Sequence, residues 1–170
     1  MIIPILKRIA WVLVLLLAQV VVFDQVHPWG YGAPLLCPLI VITLPLGTSR
    51  SAALLWGFCT GFIADIFAGT AGISSAALTF IALIQPPLLK SIVETDGTEV
   101  EELRPSFSAL GRWTYTRFIA LLLLFHHVIY FALEGFSYFF LTDIAISMGV
   151  SYVASLLLIL LAEHVRNPKK

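Results

Sequence analysis

Apolar residues fill this chain in runs too long for strands and too continuous for the one-sided helices of a water-soluble surface. Polar residues divide the runs into six candidate spans at about 9–26, 33–47, 51–68, 72–89, 113–133 and 143–162, with a polar stretch over 90–112. Five of these suit a helix that crosses hydrocarbon, which takes roughly 20 residues. The second is short and holds Pro34, Pro38 and Pro45. It is expected to cross as a kinked segment or to re-enter, and lipid tolerates either only where the backbone is buried against protein. The pattern predicts an all-α polytopic membrane protein, a single domain over 1–170 with six transmembrane helices.

Composition agrees and charge adds direction. Of 170 residues, 59% are hydrophobic and 12% charged, about half the charged share of a soluble domain. With the N-terminus in the cytoplasm and six crossings, Lys7, Arg8, Arg50, Lys90, Arg104, Arg112, Arg117, Arg166, Lys169 and Lys170 all fall on the cytoplasmic side, which accounts for every lysine and arginine. That is the positive-inside bias, and omitting the second span would send Arg50 and all later cations to the wrong face. Both termini are therefore expected in the cytoplasm. Asp24, Asp65, Glu134 and Asp143 fall at the outer side, while Glu94, Asp96, Glu99, Glu101, Glu102 and Glu163 fall inside. With the cations spread along the membrane edge, no basic surface is left for nucleic acid.

Lys7-Arg8 and the apolar run after them look like the start of a signal peptide. No small-x-small cleavage site follows, so a retained signal-anchor span is expected. Cys37 and Cys59 lie in separate spans without CxxC spacing and read as buried structural thiols. The polar stretch over 90–112 reads as a solvated connector with a short helix at Glu99–Leu103 stopped by Pro105, or else as a docking surface for a cytoplasmic partner.

Two constellations carry candidate chemistry. In the third span, Ala53, Gly57, Gly61, Asp65 and Gly69 recur every fourth residue and share one helix face. Gly57 and Gly61 form a GxxxG pair, which lets a second helix approach closely in lipid. An ionised carboxylate is expensive in hydrocarbon, so Asp65 should face protein or water. It reads as a helix–helix anchor taking hydrogen bonds from backbone or hydroxyl groups near "GTAGISS"; the alternatives are a ligand or ion site and an interfacial residue reaching the headgroups. Asp65→Asn is expected to be tolerated if hydrogen bonding is its role, and Asp65→Leu to impair assembly. In the fifth span, His127, Tyr130 and Glu134 share a face, with His126 beside them. Such a set can bind a metal or relay protons, but no further ligand is placed to help, and mutual satisfaction near the outer boundary is the plainer reading. Tyr138, Phe139 and Phe140, with Trp29 and Tyr31, read as an interfacial aromatic belt. No nucleophile–base pair, phosphate loop or paired carboxylate stands out, so a non-enzymatic protein without a cofactor or metal is expected.

The stretch "GFCTGFIADIFAGTAGISSAA" resembles the MreD family of rod-shape-determining bacterial membrane proteins. Members carry a Gly-x3-Gly-x3-Asp-x6-Gly pattern in a middle span, which falls here on Gly57, Gly61, Asp65 and Gly72. The "HHVIYFALEGFSY" and "QPPLLK" stretches are similar to the Bacteroidetes-type members, with Gln85 standing where those carry an arginine. The resemblance implies a scaffold of the cell-elongation machinery in the inner membrane, supporting lateral peptidoglycan synthesis. It implies association with MreC, a single-span protein, and through it with the MreB filament, RodA and its partner transpeptidase. It also implies a fold similar to the substrate-binding membrane subunit of energy-coupling-factor vitamin transporters, which makes a small-solute-binding transporter subunit the alternative. On this reading Ala53, Gly57, Gly61, Asp65, Gly69 and Gly72 form a packing or partner interface, and His126, His127, Tyr130 and Glu134 a secondary polar cluster.

Overall fold

A computed structural model describes residues 2–23, 32–95, 103–135 and 141–166. The readings placed on Asp24, His27, Trp29, Tyr31, Asp96, Glu99, Glu101, Glu102, Tyr138, Phe139, Phe140, Lys169 and Lys170 lie outside these residues. Among the described residues every regular element is helical: α1 (Ile2–Ala18, widening into a π-helical turn at Gln19–Phe23), α2 (Pro38–Ile42), α3 (Arg50–Ala68), α4 (Ile73–Thr95), α5 (Phe107–Leu110), α6 (Arg112–Glu134) and α7 (Leu141–Arg166).

Arg50–Ala68, Ile73–Val93, Arg112–Glu134 and Thr142–His164 are four segments long and apolar enough to cross a bilayer. Their outward faces are apolar too. Leu55, Ile66, Phe67 and Leu157 each expose more than 60% of their surface. In water such continuous apolar surface invites association, whereas in hydrocarbon it is the expected coat. Length, composition and outward faces together mark a membrane protein.

The second expected span is broken and forms no full-length helix. Within 33–47 only Pro38–Ile42 is helical, five residues or about 7.5 Å of rise, far short of a roughly 30 Å hydrocarbon core. The prolines explain this. Pro38 occupies the first turn of α2, where its missing N–H costs nothing. Pro45 then disfavours helical geometry at Leu44. This broken stretch is also deeply buried: Leu39, Ile40, Val41, Ile42 and Leu44 are 0–2% exposed. They pack with Leu78, Ile81 and Leu89 of α4 and Tyr115, Phe118, Ile119, Leu122 and Leu123 of α6 in one core.

Irregular backbone at that depth must find partners inside the protein, and side chains supply them. Gln19, in the π-helical turn, donates through Nε2 to Pro34 O at 3.0 Å and accepts Leu36 N–H on Oε1 at 2.6 Å. Ser155 of α7 accepts Leu35 N–H at 2.7 Å. Gln85 of α4 donates to Leu44 O at 3.1 Å, and Leu46 N–H reaches Leu103 O at 2.9 Å. Gln85, the departure from the resembled pattern, is thus a neutral amide serving a neutral carbonyl.

The polar stretch is shorter than expected, because α4 runs on to Thr95 through Pro86 and Pro87. Among the described residues of this region Leu103 is not helical, and a short helix, α5, is capped by Ser106 Oγ on Ala109 N–H at 3.2 Å. At this end Arg112 lies 5.6 Å over the Phe107 ring and Arg117 lies 4.8 Å over Trp113. Cation–aromatic pairs of this kind hold a charge at a membrane boundary without burying it. Cys37 is buried, but Cys59 is exposed on the outward side of α3, which corrects its reading as a buried thiol.

Candidate functional site

Asp65 lies one turn before the end of α3 and works in both directions along the chain. Its backbone carbonyl accepts the N–H of Gly69 and, at 3.0 Å, of Thr70, which closes α3. Its carboxylate opens α4. Oδ1 accepts the Thr70 hydroxyl at 2.6 Å and Ser74 N–H at 2.8 Å, and Oδ2 accepts Ser75 N–H at 2.9 Å and the Ser75 hydroxyl at 2.6 Å. The first turn of a helix leaves N–H groups without partners, and the residue just before the helix usually supplies the oxygen. Here that residue is Gly72, which has no side chain. Asp65 reaches across from the preceding helix and caps α4 instead, where the helix dipole also favours its negative charge. At 4% exposure it is sealed inside the protein.

The glycines divide into two jobs. A Cβ built on Gly57 would stand 2.8 Å from Leu78 O and 2.9 Å from Ala82 Cβ, and one on Gly61 would stand 2.6 Å from Ser74 O and Ser75 N. Both are closer than real contacts allow, so these two residues let α3 press directly on α4, while Ala53 is buried in the core. Gly69 and Gly72 do not belong to that contact. A Cβ on either would meet nothing within 4 Å, and their φ values of +67° and +84° are those of a turn. The place of Gly69 in the packing stripe is corrected: the four-residue spacing continues past the helix end, where the chain has already turned left-handed; Gly72 lies in the turn before α4 and lines the outward groove between α3 and α4. The expected interface is thus an intramolecular α3–α4 hairpin, with Asp65 fully engaged within the chain.

In the second constellation, on α6, His126 stacks with Tyr130 at 5.9 Å and His127 with Phe131 at 6.3 Å, and Tyr130 meets Phe131 edge to face at 5.4 Å. The two imidazoles meet edge to face at 5.4 Å. His127 turns toward α7, its Nδ1 2.8 Å from Leu123 O and its Nε2 3.3 Å from Ser155 Oγ. A carbonyl can only accept, so Nδ1 carries the proton. Ser155 Oγ, which accepts Leu35 N–H, is the partner of Nε2, so both ring nitrogens of His127 are engaged. Glu134 is the last residue of α6 and only partly buried. Among the described residues no three His, Cys, Asp or Glu side chains converge as metal ligands.

The partners of Asp65 were foreseeable from the hydroxyl-rich "GTAGISS" turn. Gln19 and Ser155 were not: nothing in their local sequence marks them, because the groups they serve are created by the broken backbone at 34–36. Compared with known proteins, the chain matches no family model, no curated protein and no solved structure.

Proposed function

We propose that the protein is a non-enzymatic, MreD-like scaffold of the bacterial cell-elongation machinery, held in the inner membrane and supporting rod shape and lateral peptidoglycan synthesis. The observation that carries this reading is the α3–α4 hairpin. The residues of the resembled pattern, Gly57, Gly61, Asp65 and Gly72, act together as one structural device, and every carboxylate oxygen at its centre is taken up by the protein itself. Such a device builds a rigid membrane surface and does no chemistry. Its outward groove, lined by Leu54, Phe58, Phe62, Ala76, Phe80 and Leu83, is apolar. In this reading a single-span MreC-like partner lies there, joined by the close packing that associates helices in lipid, and links the scaffold to MreB, RodA and the transpeptidase.

The proposed topology has six crossings with both ends in the cytoplasm. The positive-inside distribution supports it, and residues 32–49 would make the second crossing as irregular chain wrapped in protein. The alternative, a vitamin-binding subunit, is less well supported. The outward groove, about 660 Å³, is within the roughly 300–1,000 Å³ of a small-molecule site, but it is open and carries no charged side chain to fix a polar solute.

The test is cell width by microscopy during depletion in the protein's own bacterium. Rods that swell and round before growth stops support the scaffold, and an MreC-like protein should co-purify with the complementing copy. Cells that keep their width but need an external vitamin would overturn it.

A further inference from the structure

Ser74 belongs to two environments. Its backbone N–H is held by Asp65 Oδ1 at 2.8 Å, while the residue also lines a small cavity of about 30 Å³, together with Gln19, Cys37, His126 and Tyr130. His126 is 2% exposed, and its Nδ1 is buried with no hydrogen-bond partner among the described residues. Its neighbour His127 lies as deep and has both ring nitrogens engaged. Buried polar atoms are rarely left unpaired, since the group has given up its water without replacement.

We propose that this cavity is a binding site for an ordered water molecule, held between His126 Nδ1 and the Ser74 hydroxyl. The volume is that of about one or two waters, and a cavity above roughly 10–15 Å³ with polar walls is enough to hold one. The chemistry selects water over other occupants. No carboxylate, lysine or arginine lines the space, so nothing would balance an ion. An apolar guest would leave Nδ1 as it stands, unpaired. A water can donate to one wall and accept from the other.

Its consequence is that the two polar constellations are one. Thr70, Asp65, Ser74, the water and His126 form a connected path from α3 through the start of α4 to α6. The path ends beside His127, which is itself bonded through Ser155 to Leu35.

Water-edited solid-state NMR of the ¹⁵N-histidine-labelled protein in lipid bilayers tests this, with the ring signals assigned by sequential correlation. Transfer from water to the His126 imidazole is expected to be several-fold faster than to His127, and to survive addition of a soluble paramagnetic chelate that quenches contact with bulk water. Ser74→Ala keeps the backbone N–H that Asp65 needs and removes only the hydroxyl, and it should at least halve the transfer. Transfer at His126 no faster than at His127, transfer abolished by the chelate, or transfer indifferent to Ser74→Ala would each overturn the proposal.

Discussion

The Asp65 carboxylate accepts four hydrogen bonds and donates none, and that one-sidedness decides what can replace it. Two of its donors are backbone N–H groups, one on each carboxylate oxygen, and neither can reverse its role. Asparagine offers one acceptor oxygen and sets an NH2 group against the other N–H. The expectation from sequence that Asp65→Asn is tolerated therefore changes. It should lower stability by about 1–2 kcal/mol, as loss of a helix cap does. Asp65→Leu, which abandons both N–H groups in a buried place, should cost at least about 1–3 kcal/mol for each. Unfolding in mixed micelles with increasing SDS would rank the two, and equal stability of the Asp65→Asn variant and the wild-type protein would contradict the capping role. The acid and its donors could be read from the sequence, because an aspartate inside "FIADIF" must find hydrogen bonds and the hydroxyl-rich turn after it supplies them. Its second task, closing α3 through its own carbonyl, could not be read, because every residue has a carbonyl.

For the elements, the period-four row of small residues predicted a close helix contact but not where the contact stops. Gly61→Ala drives a methyl into the backbone of Ser74 and Ser75, the same groups that Asp65 holds, so it should separate the helices and loosen the cap together. A loss of about 1–3 kcal/mol is expected from overpacking. Gly69→Ala meets open space and faces only the left-handed backbone, at about 1–2 kcal/mol. Combining each with Asp65→Asn in the same unfolding assay separates the two causes: the Gly61 pair should be clearly non-additive, while the Gly69 pair tests the turn. The broken segment behaves differently. Its prolines argued against a plain helix, yet its supports sit far away in sequence. Gln19→Leu strips Pro34 O and Leu36 N of their partners at once, and about 1–3 kcal/mol per orphaned group is expected. Gln85→Leu orphans only Leu44 O and should cost less, which a thermal-shift comparison in detergent would check.

Across the whole molecule, hydropathy located the long helices to within a few residues at most ends, since α3 (Arg50–Ala68) and α6 (Arg112–Glu134) nearly coincide with the 51–68 and 113–133 windows. Hydropathy reports only how apolar a stretch is, so it could not distinguish a span facing lipid from the 33–47 stretch enclosed by protein. Reading the proposed topology directly is straightforward: a cysteine placed at Arg104 should react with a membrane-impermeant maleimide only after the cytoplasmic side is opened. The way the hydrogen bonds are distributed along the chain also orders its birth. Every bond to the Asp65 carboxylate spans ten residues or fewer, so the α3–α4 hairpin can close as soon as it leaves the ribosome. Leu35, by contrast, waits for Ser155, 120 residues downstream. A nascent chain must therefore keep its second segment sheltered, in the translocon or beside a chaperone, until the last helix arrives. Chains truncated just short of Ser155 should be recognised as unfinished and destroyed by membrane proteases, whereas chains ending after it should persist, a difference that a pulse-chase experiment would time.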